Sequence, residues 1–198
     1  MISSVSFGKH IPIMQSCIKN TKNNNSVPVT LSEVDCMDYE DVETMFKACP
    51  NWKYTRHIAA DIHNKYCCNY NLYDIEYPYN FYVLKDSEEN IIGFCETEDC
   101  DSFINLEYLE TKQNDKFKYA GQTILAMLGK ILQKQNKDSI FIPNPASGAI
   151  DFYTQKCGFW PVDKDREWGS LIIDEKAMSA LISDVEAKTN SKIVDITG

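Results

Sequence analysis

Three lysines, Lys112, Lys116 and Lys118, surround the run Lys116-Phe117-Lys118-Tyr119-Ala120-Gly121-Gln122-Thr123, which opens a helix with an apolar stripe. The first amides of a helix have no partner within it, and the peptide dipoles make that end positive, so such a loop is a ready anion site. Gly121 would let the backbone approach a phosphate closely, and Thr123 would add a hydroxyl donor. The cluster is basic in a chain with 20 Lys and Arg against 29 Asp and Glu, a net charge of −9. Read plainly, it is a helix start beside a solvated lysine loop.

Other residues offer weaker chemistry. His57 and His63 lie near Cys67 and Cys68, but the four share no ligand spacing and no single helix face, so no metal site is expected. A Cys–His nucleophile pair would need an orienting partner that the sequence does not supply. The stretch Tyr66–Tyr82 is rich in tyrosine and carries Asp74 and Glu76, a combination that would suit a cationic amine or would simply pack.

These residues need a frame. Residues 1–18 read as one or two short strands, Lys19–Ser26 as a loop and Val27–Val34 as a strand. Asp38 would cap a helix running to Pro50, and Ile58, Ile62 and Tyr66 mark a second helix over Thr55–Cys67. Cys68–Tyr79 has no period and reads as an ordered loop. Phe81–Leu84 and Ile91–Thr97 are strands joined by the turn chemistry of Asp86–Asn90, and Phe103–Thr111 is a third. Lys112–Tyr119 is a polar loop. Ile124, Leu125, Leu128, Ile131 and Leu132 give a helix from Gly121 to about Gln135. Ser139–Ile142 is a short strand. Asn144 followed by Pro145 predicts a capped helix start, with Ala149, Ile150, Tyr153 and Cys157 inward and Gly158 ending it. A strand over Gly169–Ile173, a helix over Glu175–Lys188 and a mobile tail from Thr189 complete the order.

Composition narrows the function classes. With 198 residues, 43% hydrophobic and 12% aromatic, the chain can bury roughly 70% of its extended surface, which excludes disorder over most of its length. One domain spanning 1–198 is expected. No apolar run approaches the ~18–20 residues a bilayer requires, and Lys9 and His10 interrupt the place where a signal peptide needs its apolar core. A cytoplasmic protein without a membrane partner is expected. The acidic balance argues against a nucleic-acid partner and suits a cationic one, such as an amine or a basic peptide. The eight cysteines are irregularly spaced and read as free thiols packed like small hydrophobes.

The runs Leu106-Glu107-Tyr108-Leu109-Glu110-Thr111 and Lys118-Tyr119-Ala120-Gly121-Gln122-Thr123-Ile124-Leu125 resemble the acetyl-CoA-binding motif of the GCN5-related N-acetyltransferase (GNAT) superfamily. The segment Ile140-Phe141-Ile142-Pro143-Asn144 through Phe152-Tyr153-Thr154-Gln155-Lys156-Cys157-Gly158-Phe159 resembles the motif that follows it. The resemblance covers about residues 80–162. The family usually has Arg or Gln where Lys118 stands, and Gly or Ala where Thr123 stands, so a side chain at Thr123 would crowd a pyrophosphate.

This resemblance implies an α/β (α+β) fold with a mixed, mostly antiparallel central sheet, splayed middle strands and flanking helices. It implies a single acyl-CoA N-acyltransferase domain over 1–198, with an N-terminal strand extension (1–26) and a C-terminal helix and tail (175–198). The extension and the last helix would form a homodimer contact or roof the acceptor pocket. The implied activity is N-acetyltransferase: acetyl-CoA, as cosubstrate and without a metal, acetylates a primary amine of a small molecule or protein by direct attack in a ternary complex. The alternative is an inactive GNAT-fold module that binds acyl-CoA or a partner.

By the same resemblance Glu107 is the general base, with Glu110 as substitute, and Tyr153 donates a proton to the coenzyme A sulfur. Without it, Glu107 is a solvent-facing strand carboxylate and Tyr153 a core tyrosine. The cofactor-binding set is Leu109, Glu110, Thr111, Lys116, Lys118, Tyr119, Ala120, Gly121, Gln122, Thr123, Asn144 and Ser147. A backbone N–H near Leu109 would polarise the thioester carbonyl. The acceptor stays open among small amines, aminoglycosides, polyamines, protein N-termini and lysine side chains.

Overall fold

The computed structural model describes residues 10–34, 79–112, 116–163 and 169–197. The two helices expected between Asp38 and Cys67, the loop Cys68–Tyr79 up to residue 78, and the four His and Cys residues considered above lie outside the described residues. Strands β1 (Ile11–Asn20) and β2 (Ser26–Val34) form a hairpin. Its turn shows what the asparagine run does: Asn20 Oδ1 accepts the Lys22 N–H, Asn23 Oδ1 accepts the Asn25 N–H, and Asn24 takes the left-handed conformation at φ 58°. Short polar side chains tolerate that region and hold such turns locally.

Next come β3 (Tyr79–Asp86), β4 (Ile91–Asp99) and β5 (Phe103–Thr111), an antiparallel meander. Asp86 closes the first turn by accepting the N–H groups of Glu88 and Asn90 on one oxygen. A two-residue strand β6 (Phe117–Lys118) leads into helix α1 (Ala120–Gln135). Strand β7 (Ser139–Ile142) follows, then a 3₁₀ turn (Ser147–Ala149) and a short helix over 150–157. Strands β8 (Trp160–Pro161) and β9 (Leu171–Asp174), helix α2 (Glu175–Thr189) and strand β10 (Val194–Asp195) complete the order.

The strands join one sheet in the order β10-β1-β2-β3-β4-β5-β7-β9-β8, with β6 added to β1. Every pairing is antiparallel except β5 with β7. The fold is the expected mixed, mostly antiparallel sheet with helices. Its core lies between the sheet and the two described helices. Ile124, Leu125, Met127, Leu128 and Leu132 of α1 are fully buried there, with Met14, Ile18, Leu84 and Leu106 from the strands and Met178 and Val185 from α2.

Four expectations need correction. The strands of the first 18 residues are, among the described residues, the single β1, which runs on through Asn20 into the expected loop. Lys112–Tyr119 is not wholly loop, because Phe117 and Lys118 pair with Asn20 and Lys19. Asn144 caps no helix: the Ser170 hydroxyl holds the Pro143 carbonyl at 3.0 Å, the chain bends there, and the first turn begins at Ser147 after Ala146. The tail is ordered, since Val194 and Asp195 pair with β1, Ile193 is buried, and Lys134 holds Asp195 at 2.8 Å. Strand β8 stands where no element was expected, and the other described elements lie within a few residues of their expected places.

Candidate active site

The site begins with a loss of pairing. Strands β5 and β7 run side by side over three residues, Phe103 with Ser139, Ile104 with Ile140 and Asn105 with Phe141, and no farther. Beyond Asn105, β5 continues to Thr111 with β4 on one side and, among the described residues, no strand on the other. The Lys112 N–H donates to the Ile92 carbonyl of β4. Strand alternation therefore turns the amides of Leu109 and Thr111 away from β4, toward the open side. Such an edge can pair with an extended ligand as with an added strand.

The mouth of α1 faces the same opening. Tyr119 precedes the helix in the left-handed conformation (φ 72°), and no side chain caps the first-turn amides. No acidic residue stands in that turn. Unpaired N–H groups and the helix dipole thus make a local positive end on an acidic protein. At Gly121 the close approach belongs to protein: a β-carbon there would lie 2.9 Å from Cζ of Phe152.

The third wall is the helix 150–157. Its central stretch, Phe152–Lys156, is π-wound, with Tyr153 buried in it. The Tyr153 carbonyl accepts the N–H groups of both Cys157 and Phe159, and Gly158 ends the helix at φ 80°. A π-turn accommodates one extra residue and recurs at functional sites. Here it sets the Tyr153 ring between Phe152 and Phe159, at centroid distances of 5.2 and 5.5 Å. Burial, with smaller contributions from Cys157 and Cys95, holds the Tyr153 phenol well above its ordinary range. It therefore remains a proton donor across the physiological range.

These walls enclose a cleft of about 420 Å³. From the expected set, the structure brings Leu109, Glu110, Thr111, Tyr119, Ala120, Gly121, Gln122 and Tyr153 to its lining. Glu107, Lys116, Lys118, Thr123, Asn144 and Ser147 do not line it. Glu107 occupies the bulge of β5, where Glu96 pairs with Tyr108 and Thr97 with Leu106, and it is partly buried. Lys116 lies over the Phe117 ring at 4.9 Å. Thr123 is fully buried inside α1, so its side chain stays out of the mouth.

The cleft also contains residues absent from the expected set: Ile92, Lys112, Phe117, Gly148, Ala149 and Phe152. Lys112 was recognised as a nearby cation, and its position follows from the last rung between β5 and β4. Phe152 adjoins Tyr153 in sequence, and both lie in the π-wound stretch and line the cleft. Among the described residues, no group of three or more His, Cys, Asp or Glu could hold a metal ion. Nor is any helix among them long and apolar enough to cross a membrane.

No protein-family model matches the sequence, and no curated protein matches it. Solved structures do match in fold. FdhC without ligand, a nucleotide-linked sugar GNAT, superposes with a TM-score of 0.59 at 12% identity, over 91% of this chain and 98% of its own. PaiA N-acetyltransferase from Thermoplasma acidophilum, in complex with coenzyme A, gives 0.54 at 21%, over 74% and 98%. Spermidine N-acetyltransferase from Vibrio cholerae, in complex with coenzyme A and spermine, gives 0.52 at 12%, over 76% and 98%. The parted strands, the helix mouth between them and these superpositions agree: the chain has the fold of the GCN5-related N-acetyltransferase superfamily.

Proposed function

We propose that this chain is an N-acetyltransferase that transfers the acetyl group of acetyl-CoA to a primary amine within a ternary complex. One observation carries the reading. The unpaired edge of β5, the uncapped mouth of α1 and a tyrosine held protonated line one cleft. The amides of Ala120, Gly121 and Gln122 suit a diphosphate, and the Leu109–Thr111 edge suits an extended, amide-bearing arm. Thr123, whose side chain was expected to crowd the phosphates, is buried out of their way.

In this reading the Leu109 N–H donates to the thioester carbonyl oxygen and stabilises the charge that develops there. A neutral amine forms the new C–N bond as the C–S bond breaks. Glu107, outside the cleft lining, takes through an intervening water the proton that the attacking nitrogen sheds, and the Tyr153 hydroxyl gives its proton to the departing sulfur. Glu110 lines the cleft itself and is the competing base. Lys116, Lys118, Asn144 and Ser147 would act at its margin. Placement in the cytoplasm and the single-domain organisation over 1–198 belong to the same proposal.

The test is thiol release from acetyl-CoA with a panel of primary amines. Turnover is expected, with Y153F losing kcat by roughly 10²-fold or more while its affinity for acetyl-CoA changes little. Comparing E107Q with E110Q identifies the base. Calorimetric binding of acetyl-CoA without turnover on any amine would replace the enzyme with an inactive acyl-CoA-binding module.

A further inference from the structure

The Gln122 side chain is almost wholly buried, 6% exposed, and its amide Nε2 donates to the Lys156 carbonyl at 2.7 Å. The partners belong to different walls of the cleft. Gln122 sits in the first turn of α1, beside Gly121, and Lys156 is the last residue of the π-wound stretch that carries Tyr153. The bond also meets a need set by the backbone. Carbonyls in the last turn of a helix lack intrahelical donors and must find partners elsewhere. Here the Phe159 N–H, a nearby donor beyond the turn, goes to the Tyr153 carbonyl instead. The Gln122 amide supplies the bond at Lys156.

We propose that Gln122 is a positioning residue: its side chain ties the mouth of α1 to the π-turn and so fixes Tyr153, which lines the cleft. This deepens the proposed function and rests on it, because Tyr153 is the proton donor of that reading. Gln122 need not touch the reacting atoms. Its backbone would face the diphosphate while its side chain reaches the opposite wall, so one residue links the anion end of the cleft to the acid. Phe152 and Phe159 hold the tyrosine ring laterally, whereas the tether fixes the turn beneath it.

The experiment combines kinetics with ¹³Cζ-tyrosine NMR, the Tyr153 signal being assigned with Y153F. In the wild-type chain that signal is expected to remain in the phenol form at about pH 11, above the ordinary range for tyrosine. In Q122L, which has no donor, and in Q122N, whose amide falls short, it should titrate earlier. Both variants should lose roughly tenfold in kcat with little change in KM for acetyl-CoA, and Q122K, whose ammonium reaches the carbonyl, should recover most of it. If Q122L folds poorly by thermal melting, Q122N carries the test. An unmoved signal together with wild-type kcat in Q122L and Q122N overturns the inference and leaves the acetyltransferase reading intact. Wild-type turnover in Y153F overturns the acid assignment instead, and the NMR titration still decides whether Gln122 positions the tyrosine.

Discussion

Phe152 stands over Gly121 so closely that a methyl group on that α-carbon would meet its ring at 2.9 Å from Cζ and 3.5 Å from Cε2. Glycine at the mouth of α1 therefore seats an aromatic ring from the opposite wall. The same ring packs on Tyr153 at 5.2 Å, so one side chain joins the mouth of α1 to the proposed proton donor.

Gly121→Ala should drive the Phe152 ring out of place and disturb both ends of the cleft. The expected result is a rise of about tenfold in KM for acetyl-CoA together with a fall in kcat. Adding F152A should relieve the clash and restore affinity. A G121A protein with wild-type constants would show that the ring yields without consequence.

Stability should fall in alkali. Burial holds the thiols of Cys95 and Cys157 and the phenol of Tyr153 above their ordinary values, Cys157 up to about 12 from 9.0. The native state thus keeps protons that the unfolded chain releases, and the stability this brings is complete below pH 9 and is lost as pH rises toward 12. Thermal melting should show a progressive fall above pH 9, made shallower in C157A. A flat profile to pH 11 would contradict the burial of these groups.

Asp174 ends β9 and caps α2, its carboxylate accepting the Ala177 N–H at 2.8 Å. Asp174→Ala should cost about 1 kcal/mol, and D174N or D174S should cost less. Urea unfolding measures it, with the slope unchanged if only the cap is lost.

Ile193 packs into the core just before β10 pairs with β1, while Glu186 takes both the Ile193 N–H and the Lys192 ammonium. Ile193→Ala should cost about 2 kcal/mol, a core value rather than a surface one. Hydrogen exchange at Ile196, whose N–H reaches the Ile13 carbonyl, should quicken in that variant.

What could be read beforehand follows the range of the forces involved. The meander β3–β5 announces itself through aromatic and branched residues separated by Asp86–Asn90, and α1 through apolar residues at helical spacing, because local pattern dictates both. Strand β6 has two residues and no period, and it exists only because β1 lies beside it. The tail is held by one buried isoleucine, a two-residue strand pairing with β1 and the Lys134–Asp195 contact, none of which makes a local pattern. The Asn144–Pro145 signal is a sound local cap, yet the Ser170 contact to Pro143 overrides it. The motif residues Leu109–Thr111 and Tyr119–Gln122 reach the cleft through backbone geometry that the motif itself carries. Charge, and for Lys118 also its place in the motif, points to Lys116 and Lys118, and neither fixes the direction of a side chain. The π-turn that aims Phe152 has no compositional signature.

Strand β1 holds two distant segments at once, taking β10 along Met14–Gln15 and β6 along Lys19–Asn20, with the Thr21 N–H on the Lys116 carbonyl. In chain order β1 is the first and β10 the last of the described strands. The stretch leading into α1 is thus tethered, through Phe117 and Lys118, to the same edge of β1 that β10 closes farther along. A slip in the register of β1 should therefore disturb the entrance of α1 and the docking of β10 together.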